Sequence, residues 1–131
     1  MATLTPTLTL ASTDASSDAI SFSATLGLSV EPPSKGISRI NVDSTGANNI
    51  IIADNPGEIV YLYIKHTGTT DGSTATTILV DVEDTNNEPF ARLGANEFLF
   101  LPYRNITRNS GVQFQAASGT VQMEYAFFTK A

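Results

Sequence analysis

The sequence has no cysteine and no tryptophan, and its charged residues are scarce. Without cysteine, disulfides, thiolate nucleophiles and zinc–thiolate sites are excluded, and the redox compartment cannot be inferred. Asp, Glu, Lys and Arg make up 15% of the chain, against about 25% in a typical soluble domain. Thr and Ser replace them, and such a weakly charged surface suits either close packing against other subunits or an ordinary Thr-rich sheet.

Basic residues are few and scattered. Seven Lys and Arg stand against thirteen Asp and Glu, which gives a net charge of −6. Binding to the phosphates of DNA or RNA requires clustered basic side chains, so we expect no nucleic-acid partner. No stretch approaches the ~20 apolar residues of a membrane helix. Met1–Leu10 also lacks the basic region and unbroken apolar run of a signal peptide, so we expect no membrane partner.

Alternation of apolar and polar residues dominates the sequence, and no window repeats with the period of a helix. Glu58–His66 is apolar on both faces, which predicts a central strand. Ile20–Val30 alternates most cleanly and is expected to turn six side chains towards the core: Ile20, Phe22, Ala24, Leu26, Leu28 and Val30. These patterns predict an all-β fold, an antiparallel β-sandwich or jelly roll of about eight to ten short strands without significant helix.

Two pairs of neighbouring segments are expected to form hairpins, because residues that favour turns separate the members of each pair. The first hairpin would join Glu58–His66 to Thr74–Val82 across a long loop. The second would join Gly111–Ala116 to Thr120–Phe128 across the short segment Ala117–Gly119.

The beginning of the chain differs from the rest in composition. Thr3–Leu10 alternates Thr with Leu, and Pro6 restricts this strand to a sheet edge or an extended arm, because proline has no amide hydrogen. Ala11–Asp18 is small and polar, which is typical of a loop or a flexible hinge. We therefore predict an N-terminal arm and neck, residues 1–18, followed by a single β-sandwich domain, residues 19–131.

The arm strand has two possible partners. It can pair within its own domain, or it can add to the sheet edge of a neighbouring subunit. The candidate interface residues are those of the arm: Leu4, Leu8 and Leu10 on one side, and Thr5, Thr7 and Thr9 on the other.

Catalytic chemistry has little support in the sequence. His66 is the only histidine, so any Ser–His–Asp triad must include it, and the nearest carboxylate along the chain is that of Asp71. No GxSxG motif is present, and Gly68–Gly72 lacks the lysine of a phosphate-binding loop. We predict no catalytic residue, no cofactor and a structural role for His66.

Two further groups could bind a ligand. Asp81–Glu88 is rich in carboxylates and amides, whose oxygens calcium prefers, but the EF-hand spacing is absent and such residues also cap turns. We predict no metal site, and whether this segment binds a cation stays open. Four tyrosines could stack on a sugar or a base, although packing within a sheet is their commoner use: Tyr61, Tyr63, Tyr103 and Tyr125.

Four segments of the C-terminal part, together with the N-terminal opening, form a recognisable arrangement. They are YLYIKHTG at Tyr61–Gly68, FARLGANEFLFLP at Phe90–Pro102, GVQFQA at Gly111–Ala116, VQMEYAFFT at Val121–Thr129, and the opening Met1–Ser23. In this arrangement the chain resembles small virion structural proteins of tailed bacteriophages, especially those of cyanobacteria. These motifs describe strands and turns, and none of them carries chemistry.

The resemblance implies a non-enzymatic virion component that is made in the host cytoplasm. Within that class it favours a capsid cement or decoration protein, a homotrimer on the outer surface of the head that binds the major coat protein or another virion protein. A tail, neck or fibre component that binds a host receptor or a glycan would have the same pattern. The cement protein predicts buried rings at Tyr61, Tyr63 and Tyr103, whereas the binding module predicts an exposed one.

Overall fold

The computed structural model describes residues 1–32, 36–45, 49–51, 59–70, 76–82, 88–104 and 111–131. Over these ranges the chain forms twelve β-strands and no helix, which confirms the predicted all-β fold. The strands are β1 (Ala2–Leu4), β2 (Thr7–Ser12), β3 (Ile20–Thr25), β4 (Leu28–Val30), β5 (Ser38–Asp43), β6 (Asn49–Ile51), β7 (Ile59–Thr70), β8 (Ile78–Val82), β9 (Ala91–Leu93), β10 (Phe98–Arg104), β11 (Val112–Ala116) and β12 (Thr120–Thr129). In the described ranges, no helix is long and apolar enough to cross a membrane.

The chain divides into two compact units, of which Pro33–Thr129 is the larger. Its strands form two antiparallel sheets with the orders β10-β7-β12-β5 and β6-β11-β8-β9, which we call the first and second sheet. Four of the strand pairs are nested along the sequence, so that each pair lies between the two members of the one before it: β5–β12, β6–β11, β7–β10 and β8–β9. A long antiparallel hairpin that rolls up on itself gives this order, which is that of an eight-stranded jelly roll.

Side chains from the inner faces of both sheets form one hydrophobic core. The first sheet contributes Val42, Leu62, Ile64, Val121 and Met123, and the second contributes Ile78, Val80, Leu93, Val112, Phe114 and Ala116. Burying each large apolar side chain stabilises the fold by roughly 1.5–3 kcal/mol. The expected central strand, β7, pairs on both sides, with β10 and with β12.

Neither of the two predicted hairpins forms. Strand β7 lies in the first sheet and β8 in the second, and β11 and β12 are likewise in different sheets. The amide of Ala117 donates to the carbonyl oxygen of Thr77 at 2.9 Å, so the chain after β11 stays beside the start of β8 before it crosses over. Alternation shows which face of a strand is buried. Because both sheets bury a face in the same core, it does not show to which sheet a strand belongs.

The smaller unit comprises Met1–Pro32 and Lys130–Ala131. Strand β1 pairs with β4, β2 pairs with β3, and Val30 forms a bridge with Lys130. Both strands of the predicted arm therefore pair within their own chain in this structure. The unit extends to Pro32, whereas the sequence placed a boundary after Asp18, because β3 is hydrogen-bonded to the arm strand β2.

The prediction that Ile20–Val30 turns one continuous face towards the core is wrong. The segment breaks at Leu26–Gly27 into β3 and β4, and only in β4 are side chains covered, with Leu28 half-buried and Val30 buried. The apolar residues before Gly27 are exposed: Ile20, Phe22, Ala24 and Leu26. An apolar strand face needs a second layer to cover it, and a two-stranded sheet supplies none.

Candidate functional site

Strands β2 and β3 form a hairpin, which we call the ribbon, with two chemically different faces. Directly opposed residues of an antiparallel pair point to the same side. Leu8 lies opposite Ala24, and Leu10 lies opposite Phe22. One side, the apolar face, carries Leu8, Leu10, Ile20, Phe22 and Ala24, with Ser12 at its end. The other side, the hydroxyl face, carries Thr7, Thr9, Ser21, Ser23 and Thr25, with Ala11 at its end.

The apolar face is open to solvent. Its four large side chains are between 38% and 51% exposed: Leu8, Leu10, Ile20 and Phe22. Neither strand of the ribbon contains a charged residue. A two-stranded ribbon is only marginally stable in water, and covering a half-exposed large side chain contributes on the order of 1 kcal/mol. The ribbon therefore gains stability from any surface that covers this face.

The hydroxyl face is linked across the two strands by its own side chains. Oγ1 of Thr7 lies 2.9 Å from Oγ1 of Thr25, and Oγ1 of Thr9 lies 3.5 Å from Oγ of Ser23. These cross-strand contacts help to fix the register of β2 against β3. A slip of one residue in this register would place the hydroxyl side of one strand beside the apolar side of the other, so the contacts also keep the apolar side chains together.

The loop that closes the ribbon is ordered by short-range hydrogen bonds. Oγ of Ser12 accepts from the amides of Asp14 and Ala15 at 3.3 and 3.0 Å, and it donates to Oδ1 of Asp14 at 3.0 Å. The hydroxyl of Ser16 donates to the carbonyl oxygen of Asp18. Hydroxyl side chains commonly stabilise turns in this way, and here the Ser12 hydroxyl also holds the carboxylate of Asp14.

The six predicted interface residues are separated by the structure. Leu8 and Leu10 lie on the apolar face, whereas Thr7 and Thr9 lie on the hydroxyl face. The other two lie outside the ribbon: Leu4 pairs with Leu28 and is half-buried, and Thr5 is exposed between β1 and β2.

Sequence reasoning missed the residues of β3 that complete the apolar face. Ile20, Phe22 and Ala24 were assigned to the core, although they lie beside the arm strand. A signal for this pairing is present in the sequence. Two alternating segments of similar length flank the polar loop Ala11–Asp18, which is the pattern of a hairpin.

His66 is buried, and both of its ring nitrogens are bound to the backbone. The amide of Gly68 donates to Nδ1 at 2.9 Å, which places the ring hydrogen on Nε2, and Nε2 donates to the carbonyl oxygen of Thr76 at 3.2 Å. The ring thereby ties β7 to the residues ahead of β8, in the opposite sheet. This geometry leaves neither nitrogen to accept a serine proton. Asp71, the candidate carboxylate, lies outside the described residues.

Two of the tyrosines pack on the outer side of the first sheet. Tyr61 is buried and stacks on Phe100, with ring centroids 6.2 Å apart and ring planes inclined by 10°. Tyr63 is half-buried, and its hydroxyl donates to Oε1 of Glu124 at 3.1 Å, while Nε of Arg39 donates to Oε2 at 3.2 Å. Burial, reinforced by the hydrogen bond and the charge of Glu124, raises the pKa of the Tyr63 hydroxyl.

The other two tyrosines pack against the core. Tyr103 and Tyr125 are both half-buried, and the hydroxyl of Tyr103 is buried without a hydrogen-bond partner among the described residues. Burial raises the pKa of the Tyr103 hydroxyl. None of the four tyrosine rings is exposed, so they form no open stacking platform. The exposed aromatic side chains of the jelly roll are Phe90, Phe98 and Phe100.

The structure describes only two ends of the carboxylate-rich segment Asp81–Glu88. Asp81 is buried on β8 and Glu88 is exposed, while residues 83–87 lie outside the described ranges. In the part of the chain that the structure describes, no three His, Cys, Asp or Glu residues come together as a metal site would require.

Comparison with known proteins identifies no relative. No family model, no curated protein and no solved structure matches the chain. The structure alone therefore describes the protein. It has a jelly roll and a second compact unit, and this second unit contains the ribbon with its solvent-exposed apolar face.

Proposed function

We propose that the chain is a non-enzymatic structural protein of a phage virion, a cement or decoration protein that binds coat protein on the outer surface of the head. The observation that carries the proposal is the ribbon, which presents an uncharged apolar face to solvent. The resemblance of the sequence to small virion proteins of tailed phages supports it. A jelly roll is compatible with this role, since viral capsid domains use the same architecture, although a fold alone does not define a function.

The apolar face is covered by further copies of the same chain in this proposal. A charged partner would find no complementary charge in β2 or β3, whereas identical faces meet there without repulsion. Four half-exposed large side chains offer roughly 300–400 Å² of apolar area, because a full aromatic side chain covers about 150–250 Å². That is about half of the ~800 Å² that each partner buries in a stable interface.

A threefold arrangement uses this area best. Three ribbons that meet on one axis cover every apolar face with two neighbours, and a trimer matches the local symmetry of an icosahedral head. The hydroxyl faces then point away from the axis and offer short hydrogen-bonding groups to coat protein. The net charge of −6 suits the outside of the head, because it is repelled by packaged DNA.

The solution mass of the purified protein tests this proposal. Multi-angle light scattering should give three times the subunit mass of 13.9 kDa for the wild type. Leu10→Asp/Phe22→Asp places two carboxylates opposite each other on the apolar face and should give the monomer mass. The matched control, Thr9→Asp/Ser23→Asp, places the same charges opposite each other on the hydroxyl face and should stay trimeric. Far-UV circular dichroism checks that each variant keeps its sheets.

Two outcomes would contradict the proposed assembly. A monomeric wild type would show that the apolar face does not associate with itself, and equal dissociation of both double variants would show that charge alone separates the subunits. The position in the particle needs a second measurement. Gold-labelled antibody against the chain should mark the heads of phage particles, and labelling of tails alone would rule out a head cement protein.

A second candidate function is a tail, neck or fibre module that binds a host receptor or a glycan. It is favoured by Phe98, which is 61% exposed on the edge strand β10 next to the stacked pair of Phe100 and Tyr61. Aromatic rings of this kind stack on sugars, and jelly rolls also occur in lectins. Binding to a glycan array that is lost in Phe98→Ala would favour this function over the cement protein.

A further inference from the structure

The two outer edges of the ribbon present backbone groups that no described strand pairs with. The amide of Leu26 donates to the carbonyl oxygen of Pro6 at 3.3 Å, which continues the register of β2 against β3 by one residue. Hydrogen-bonded and non-hydrogen-bonded pairs alternate along an antiparallel ladder, so Leu10 and Phe22 form a hydrogen-bonded pair. The residues of the other pairs direct their N–H and C=O groups outwards: Thr7, Thr9 and Ala11 on β2, and Ser21, Ser23 and Thr25 on β3.

The edge strands of the described jelly roll are all protected against further pairing. Strands β6 and β9 are only three residues long, and β5 carries Arg39 and Asp43. In β10 the backbone itself is protected. The amide of His66 donates to the carbonyl oxygen of Glu97, so the even-numbered residues of β10 face outwards, and one of them is Pro102, which has no N–H. Short strands, charges and proline keep sheet edges from pairing with other chains.

The ribbon has none of these protections. Each of its strands is six residues long, and neither contains proline, glycine or a charged residue. Segments of this composition pair readily with further strands. The outward-facing residues of both edges also lie on the side of the hydroxyl face. Because opposed residues point to the same side, two ribbons joined edge to edge keep their apolar faces on one side of the common sheet.

We propose that three ribbons join through these edges into a closed six-stranded β-barrel, in which β2 of each copy is hydrogen-bonded to β3 of the next. This inference rests on the self-association in the proposed function and specifies its geometry. Copies related by a threefold axis all run in the same direction along it, so β2 of one copy is antiparallel to the neighbouring β3, as it is to its own. A head-to-tail interface of this kind closes into a ring, and closure leaves no free edge.

The barrel also accounts for both faces of the ribbon. The apolar faces line its interior, which side chains fill in barrels with few strands, and the hydroxyl faces form its outside. The hydrogen bonds between copies supplement the apolar contact, which by itself offers about half the area of a stable interface.

Amide hydrogen exchange, followed by NMR on the wild-type trimer, tests the barrel. The outward amides should exchange as slowly as the amides bonded within the ribbon, such as those of Leu8 and Ala24, which serve as the internal reference. If the copies meet through their apolar faces alone, the outward amides should exchange roughly 100-fold faster than this reference.

A proline at an outward position removes one donor from the edge and leaves the ladder inside the ribbon intact. Thr9→Pro should raise the dissociation constant of the trimer roughly tenfold, as measured by sedimentation equilibrium. Thr9→Val is the matched control, since it loses the same hydroxyl but keeps the N–H, and it should associate as the wild type does.

The possible failures separate the barrel from the proposed function. A trimer whose outward amides exchange fast overturns the barrel and leaves the association of the apolar faces in place, as does equal association of Thr9→Pro and Thr9→Val. A mass that keeps rising with concentration beyond that of a trimer overturns closure, because the edges then pair in an open chain. A monomeric wild type overturns the proposed self-association itself, and the barrel with it.

Discussion

The ribbon and the jelly roll use the same alternation of apolar and polar residues, with opposite results. Phe22 in the ribbon is 51% exposed, whereas Phe114 in the second sheet is fully buried at 0%. Both lie on strands, and both point to the apolar side of an antiparallel pair. The difference lies in what covers them, since the two sheets of the jelly roll cover each other and the ribbon has no second layer. Alternation within one strand is thus enough to create an apolar face, but a buried core forms only where two layers pack against each other.

Truncating these two phenylalanines should give the largest difference in the free energy of unfolding between the jelly roll and the ribbon. Phe114→Ala should lower the free energy of unfolding by about 3–5 kcal/mol, because it leaves a cavity in a packed core. Phe22→Ala should change the unfolding of the monomer by less than about 0.5 kcal/mol, since its ring is half in water, while it weakens self-association. Urea unfolding followed by circular dichroism measures both. Equal losses in dilute monomer would mean that the ribbon face is covered within one chain.

Backbone constraint gives a second, smaller contrast between the two units. Gly68 on β7 has φ of +85°, and a Cβ at this position would lie 2.9 Å from Oδ1 of Asn96. Gly68→Ala should therefore destabilise the jelly roll by about 1–2 kcal/mol, since the left-handed region costs other residues that much. At Gly27 in the ribbon unit a Cβ would lie 3.8 Å from Cγ2 of Thr3, an ordinary contact. Gly27→Ala is the control and should change the melting temperature little; a loss as large as that of Gly68→Ala would contradict this account.

The smallest expected effect concerns tyrosine ionisation, which the ribbon lacks, since all four tyrosines lie in the jelly roll. Burial raises the pKa of Tyr63 and Tyr103 above the ordinary value of 10.0. The unfolded chain then releases these protons first, so the contribution of these two groups to stability is full below pH 10 and is lost as the pH rises further. The midpoints of urea unfolding, measured between pH 8 and 11, should show this fall in stability, and the fall should be smaller in Tyr63→Phe. Tyr103→Phe should also gain about 1 kcal/mol at neutral pH, because it removes a buried hydroxyl without a partner.

The sequence predicted the class of fold better than it predicted which strands are neighbours. The central position of Glu58–His66 was predicted correctly, because apolar residues on both faces of a strand are a local property of the sequence. The partners of β7 and β11 were predicted wrongly, because a jelly roll sends consecutive strands to opposite sheets and local turn signals do not show this. The burial of Asp81 was not predicted. This residue occupies a polar position in the alternation of β8, and Gln113, which lies directly opposite it, is distant along the chain.

The position of β12 in the first sheet has a consequence for biosynthesis. Strand β12 lies between β7 and β5, and β12 is the only hydrogen-bonded neighbour of β5 among the described strands. A ribosome makes β12 after every strand that it contacts, so β5 and one edge of β7 have to wait unpaired until residue 129 has emerged. Exposed strand edges of this kind invite pairing with other chains. The nascent chain is therefore at its most vulnerable to aggregation in the interval between synthesis of β7 and release of β12.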